Sequence, residues 1–249
     1  MVENRIAQNF GAWGLLKYAL PTVCMMLFTS IYTMVDGVFV AQFVSVDALS
    51  ALNIVNPLFS LVMGFGVMLG AGGSAVIAKN IGEGEEQQAF DNLSTLVFFG
   101  TILGLVLMVL LLVFMEPILS LLGATEILMP YCKEYCYYIV GFLAPWVLEL
   151  MFSSYFITAG KPQIGLIATL CSGVFNIVGD YVLIVVVGMG IRGAALATGL
   201  ATCIPVVIAL IYFFNKEHSL HFGRIMNRPR MILKLSLIHI SEPTRLLSI

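Results

Sequence analysis

Residues 164–214 read IGLIATLCSGVFNIVGDYVLIVVVGMGIRGAALATGLATCIPVVIALIYFF, and two architectures compete for them. Within lies Gly188-Met189-Gly190-Ile191-Arg192-Gly193, literally G-x-G-x-x-G. It follows the β-branched run Tyr181–Val187 and precedes a helix-like segment, as a dinucleotide-binding turn would. Glu217 even falls near the place of a ribose-binding acid. Yet the would-be strand is continuous with an apolar stretch that begins at Ile164, and Ala194–Phe214 carries no charge over 21 residues. A helix packed on a nucleotide-binding sheet needs a solvated polar face. The stretch therefore reads as two membrane-spanning helices joined by a tight glycine turn.

The rest of the chain agrees. Its 249 residues are 60% hydrophobic and 10% charged, against about 25% charged in soluble domains. A helical span needs about 20 predominantly apolar residues at ~1.5 Å each. Six segments meet that rule, at 15–41, 52–78, 93–115, 135–158, 164–187 and 191–214, predicting an all-α polytopic membrane protein. Short connections carry turn residues at Gly82–Gly84, Gly123 and Gly160-Lys161-Pro162. The run after Glu3 and Arg5 is too long for a signal-peptide core, so no cleavage is expected. A net charge of −2 and the absence of a basic cluster within the apolar runs predict no nucleic-acid partner. The five cysteines lack a metal spacing, and Cys132 and Cys136, one helical turn apart, read as packing residues.

Lys and Arg favour the cytoplasmic side of a membrane. With the N-terminus inside, Arg5, Lys17, Lys79, Lys161, Lys216, Arg224, Arg228, Arg230 and Lys234 are cytoplasmic, and Lys133 and Arg192 lie outside. Nine against two places both ends of the six-span unit in the cytoplasm. The expected organisation is a cytoplasmic segment at 1–14, a six-helix transmembrane lobe at 15–214 and a basic cytoplasmic linker at 215–234. Leu235–Arg245, LSLIHISEPTR, reads like the translation of a transposase-type sequencing-library adapter. Residues 235–249 are accordingly set apart from the fold, and the natural chain is expected to continue past Lys234.

Three carboxylates, Asp36, Glu149 and Asp180, interrupt these spans. A carboxylate at the centre of a spanning helix costs roughly 2.5–3.5 kcal/mol on insertion scales, so such residues usually mark an ion or substrate path. Thr169, Ser172, Asn176 and Asp180 are spaced by three and four and share one helical face. Thr29, Tyr32, Thr33 and Asp36 share another, and Thr198 and Thr202 lie one turn apart above Pro205. Asp36, Asp180 and Thr198 all fall roughly 9–12 Å below the outer ends of their spans, with Asn176 a turn deeper. Two carboxylates, an amide and a hydroxyl form an all-oxygen set suited to a hard cation, or to a proton shared between like charges. Glu149 lies deeper, about 18–21 Å down, beside Pro145 and Trp146. It reads equally as a second proton site, a contact for cationic substrate, or a neutral acid bonded to a neighbouring helix. Asn53 and Asn56 are placed to line a cavity. Pro21 permits a kink in the helix that carries Asp36. The glycines of the second span, Gly64, Gly66, Gly70, Gly72 and Gly73, read as close helix packing.

These residues resemble the multidrug and toxic compound extrusion (MATE) transporters, within the wider polysaccharide-flippase superfamily. The resemblance covers nearly all of 10–215. It rests on ALPTVCMMLFTSIYTMVDGVFVAQ (19–42), AKNIGEGEEQQA (78–89), ITAGKPQ (157–163), FNIVGDYVLI (175–184) and GIRGAALATGLA (190–201). It implies one lobe of a twelve-span, two-lobe antiporter in a bacterial inner membrane, exporting cationic and amphipathic compounds against inward Na⁺ or H⁺. No other cofactor is implied. By position, the cation site of the family's N-terminal lobe falls on Asp36, Asn176, Asp180 and Thr198, and its bending proline on Pro21. The expected partners are small amphipathic or cationic substrates, the lipid bilayer and a second lobe of the same chain. That lobe is absent from this sequence, so the fragment is not expected to transport alone. Glu149 does not match a family-wide position.

Two rival readings remain on the residues. A lipid-linked oligosaccharide or polysaccharide flippase favours a hydrophilic, often basic cleft, whereas the spans contain no Lys or Arg beyond their ends. An intramembrane aspartyl protease also needs two membrane aspartates. Its G-x-G-D signature is missing here, because Asp180 follows Ile177-Val178-Gly179.

Overall fold

The computed structural model describes residues 12–225. The expected segment before residue 12, the basic residues Arg228, Arg230 and Lys234, and the adapter-like 235–249 lie outside the described residues. Among those described, the chain is helical throughout. The elements are α1 (Ala12–Phe43), α2 (Val46–Gly82), α3 (Glu86–Leu121), α4 (Met129–Ile139), α5 (Leu143–Thr158), α6 (Pro162–Asp180) and α7 (Ile191–Phe214). A 3₁₀ turn, Val140–Phe142, joins α4 to α5 as one span, and a π-helical stretch, Tyr181–Val186, extends α6. Six helical units are long and apolar enough to cross a membrane.

The six predicted spans are all present; α7 keeps its predicted bounds, while α2 and α3 run well beyond theirs. The 37 residues of α2 and the 36 of α3 reach roughly 55 Å at 1.5 Å per residue. That exceeds the ~30 Å hydrocarbon core, so their polar ends emerge beyond it. Hydropathy registers only the apolar middle, which is why the sequence marks shorter segments. Ser45 caps α2 by accepting the Ala48 N–H at 3.0 Å. Pro117 explains the break in α3: its ring crowds the carbonyl a turn earlier, and Phe114 leaves helical geometry at φ −107° and ψ 17°. The decoy G-x-G-x-x-G is a turn, with Gly188 at φ +74° and Gly190 at φ +61°. These are left-handed values that favour glycine.

Helix α5 sits at the centre, packed on α2, α3, α6 and α7, while α6 is flanked by α1 and α7. The expected glycine packing holds on α2. A Cβ on Gly70 would stand 3.1 Å from the Leu150 carbonyl oxygen and 3.2 Å from Met151 Cα, both backbone atoms of α5. One on Gly73 would stand 2.5 Å from Tyr155 Oη, whose hydroxyl donates to the Leu69 carbonyl at 3.2 Å. Gly64 differs, with open space where a Cβ would be. The same device joins α1 to α6. At Gly173 a Cβ would overlap the Phe28 ring and come within 2.8 Å of Tyr32 Cδ1. Cys132 and Cys136 are buried packing residues, and the Cys132 thiol points at the Ala51 carbonyl.

The predicted linker begins as a docked strap. After α7, residues 215–225 fold back onto the first turns of α3. Leu220 is buried, and the Phe222 N–H donates to the Phe213 carbonyl at 2.9 Å. The His221 ring lies 4.0 Å from that of Phe90. The Gly223 N–H donates to Ser94 Oγ at 2.8 Å, and the Arg224 N–H donates to Asp91 Oδ1 at 2.7 Å. Gln87 Nε2 donates to the same carboxylate oxygen at 3.0 Å. Composition alone marks this stretch as polar and basic; the carboxylate and hydroxyl that hold it are more than 120 residues away in sequence.

Candidate functional site

Helices α1, α6 and α7 bring the predicted oxygen set together. Asp180 is fully buried at the end of α6, where the backbone passes into its wider π turn. Such turns break the regular i→i−4 ladder and recur at functional sites. The Val187 N–H reaches back five residues to the Val182 carbonyl at 2.9 Å. Asp36 comes from α1 and faces Asp180 within hydrogen-bonding reach, carboxyl to carboxyl. Neither Asp180 oxygen nor Asp36 Oδ1 receives a proton from any other described group.

One turn before Asp180, Asn176 is 1% exposed and donates its Nδ2 to Thr198 Oγ1 on α7 at 3.2 Å. Its carbonyl oxygen is left without a donor. Four buried oxygens thus lack donors at one place: both of Asp180, one of Asp36 and one of Asn176. Two like charges ~4 Å apart at an effective dielectric of about 20 repel by roughly 4 kcal/mol. A buried acceptor without a donor costs a further ~1–3 kcal/mol. The set therefore calls for a positive species, a proton between the carboxyls or a small hard cation among the oxygens. The donor chemistry fits both.

Tyr135 was not singled out by sequence. It sits on α4, buried, with its hydroxyl toward Thr198 and its ring near both aspartates. The ring packs edge-on against Phe59 at 6.0 Å. The predicted span begins at residue 135 itself, which places Tyr135 at a span end, where hydropathy gives no sign of a buried site. The structure starts that span six residues earlier, at Met129, and buries the ring inside the bundle.

Beside the carboxyl pair opens a small pocket of about 40 Å³. Tyr32, Trp146, Glu149, Ser172, Asn176, Thr198, Ala201 and Thr202 line it. Glu149, whose role the sequence left open, therefore joins the same site. Tyr32 stands within electrostatic range of both Glu149 and Asp36. Ser172 and Thr202 spend their hydroxyl protons on backbone carbonyls, of Ala201 and Gly199 respectively, each at 2.8 Å. Their oxygens remain as acceptors. Asn53 and Asn56 are exposed on α2 and do not line this pocket. Helix α1 runs through Pro21, whose side chain lies outside the described residues.

A family model, MatE, matches residues 21–182, which spans α1 through the first residues of the π stretch and includes Asp36, Glu149, Asn176 and Asp180. The chain belongs to the MATE family. The multidrug export protein MepA of Staphylococcus haemolyticus is 28% identical over 236 residues, covering 94% of this chain and 52% of that protein. MepA of Staphylococcus aureus strain MRSA252 is 26% identical over 238 residues, with 95% and 52% covered. The chain spans about half the length of these MATE relatives. In three dimensions it is similar to a MATE structure in the bent conformation, with a TM-score of 0.81 at 20% identity and 93% of this chain and 54% of that one covered. An outward-facing multidrug resistance MATE transporter of the MOP superfamily also scores 0.81, at 21% identity and 88% and 49% coverage. The MATE fold is thus common to all of them at low identity. Membership of that family does not favour the protease reading of the two aspartates.

Proposed function

We propose that this chain forms one lobe of a cation-coupled exporter of amphipathic organic cations, in which Asp36 and Asp180 bind the coupling ion, Na⁺ or H⁺. The observation that carries the proposal is the fully buried Asp180 carboxyl, neither oxygen of which has a donor, facing half-buried Asp36, whose buried Oδ1 has none either. Such a pair binds a cation strongly while dry and releases it when water reaches it, which is what coupling to a gradient demands. Asn176 and Thr198 complete the oxygen set, and Tyr135 and Tyr32 border it.

The distribution of Lys and Arg supports an orientation with both ends of the lobe in the cytoplasm. Multidrug export by the MepA relatives supports the substrate class. The flippase alternative gains nothing from the pocket, whose lining contains no basic residue to meet a phosphate. The test is transport of a fluorescent organic cation by the full-length gene product in proteoliposomes, under an imposed Na⁺ or proton gradient. Uptake that follows one gradient and is abolished by Asp36→Asn and Asp180→Asn supports the proposal. Gradient-independent transport would overturn it.

A further inference from the structure

We infer that Glu149, in a pocket also lined by Trp146 and Tyr32, holds the positively charged nitrogen of the exported compound, separately from the ion bound by the carboxyl pair. The inference rests on the exporter reading above and assigns that reading's substrate a place.

Glu149 and Trp146 are three residues apart on α5, so they present one face, and both line the pocket together with Tyr32 of α1. The pocket contains this one carboxyl and no basic residue. The Trp146 ring is held by that of Phe59, with centroids 5.3 Å apart. A carboxylate that shares a pocket with two aromatic side chains suits a quaternary or alkylated ammonium, which is weakly hydrated and attracted to π-faces. A hard ion requires a full shell of oxygens, and the oxygens left without a donor lie at Asp36, Asp180 and Asn176, whereas the pocket's Ser172 and Thr202 are tied to backbone carbonyls. Sites for drug-sized molecules span roughly 300–1,000 Å³, far more than the pocket's room of about 40 Å³. The pocket therefore takes only the charged end. Asn176 and Thr198 line it and also form the wall of the carboxyl pair.

The experiment uses the full-length gene product in lipid nanodiscs, with benzyltrimethylammonium as the probe and Na⁺ and proton binding measured in parallel by calorimetry. The expected result is that Glu149→Gln weakens benzyltrimethylammonium binding by about tenfold or more, equivalent to ~1.4 kcal/mol. Na⁺ or proton binding stays within about twofold of wild type on the same scale. Asp36→Asn is expected to do the reverse. Unchanged probe affinity in Glu149→Gln would overturn the inference and leave the exporter reading standing. A wild-type protein that binds neither ion nor probe would overturn both. A second measurement needs no variant: carbodiimide labelling of Glu149, read by mass spectrometry. Protection by benzyltrimethylammonium but not by Na⁺ supports the assignment, and labelling indifferent to the probe contradicts it.

Discussion

Asn176 donates its amide hydrogen to Thr198 across the α6–α7 contact, 3.2 Å from Nδ2 to Oγ1, and so turns its carbonyl oxygen away from α7 with no donor to meet it. The bond fixes which end of the amide serves the carboxyl pair. It also ties α7, which has no carboxylate of its own in the site, to the state of α1 and α6.

Replacing Asn176 by alanine removes that oxygen and the tie together. Hydrogen bonds and contacts to charged groups are worth about 1.5–3 kcal/mol. The affinity for the coupling ion is therefore expected to fall about ten- to a hundredfold on the same conversion. Titrating the ion against melting temperature measures this, and an unchanged midpoint would remove Asn176 from the ion site.

Asp180→Asn is expected to act differently from an ordinary loss of contact. It removes one of two carboxylates that repel each other when both are ionised, so at a pH where both are ionised the ion-free protein should be more stable than wild type. The same change should erase the rise in melting temperature that the coupling ion confers. A variant less stable than wild type without ion, yet still stabilised by it, contradicts the pairing of Asp36 with Asp180.

Gly70 faces the α5 backbone, where a Cβ would lie 3.1 Å from the Leu150 carbonyl oxygen. Gly70→Val has no flexible side chain to push aside, so the helices must separate. Overpacking of this kind costs typically ~1–3 kcal/mol. The expected readout is a lower midpoint in a denaturant or thermal series, whereas Gly64→Val, at the open position, should be nearly neutral.

Asp91 holds the strap through the Arg224 N–H. Asp91→Ala removes a charge-assisted hydrogen bond worth ~1.5–3 kcal/mol, and trypsin cuts after arginine. Cleavage at Arg224 in the native protein should accelerate about ten- to a hundredfold if the strap must open first. Equal cleavage rates would show that the strap is held elsewhere.

The fold and most of the site were legible in the sequence, for one shared reason. Membrane helices must be apolar, so each polar residue within them stands out, and a spacing of three or four aligns Asn176 with Asp180 on one face. Depth from the span ends then brought Asp36, Asp180 and Thr198 to one level. The missed features are those that hydropathy cannot express. Tyr135 is apolar enough to pass as an interfacial ring. The π turn after Asp180 lies in a β-branched run that reads equally well as an ordinary helix. The strap depends on contacts between residues near 91 and 224, with no local pattern to announce them.

The seat of α1 on α6 has a mechanical consequence. The rings of Phe28 and Tyr32 occupy the notch that Gly173 leaves open. Sliding or rolling the first helix lifts both rings onto the neighbouring side chains before either finds another recess. Close-packed surfaces do not deform smoothly between such positions. The notch is therefore a detent: it gives the helix that carries Asp36 discrete stops, so that the carboxyl is either at its partner or clear of it.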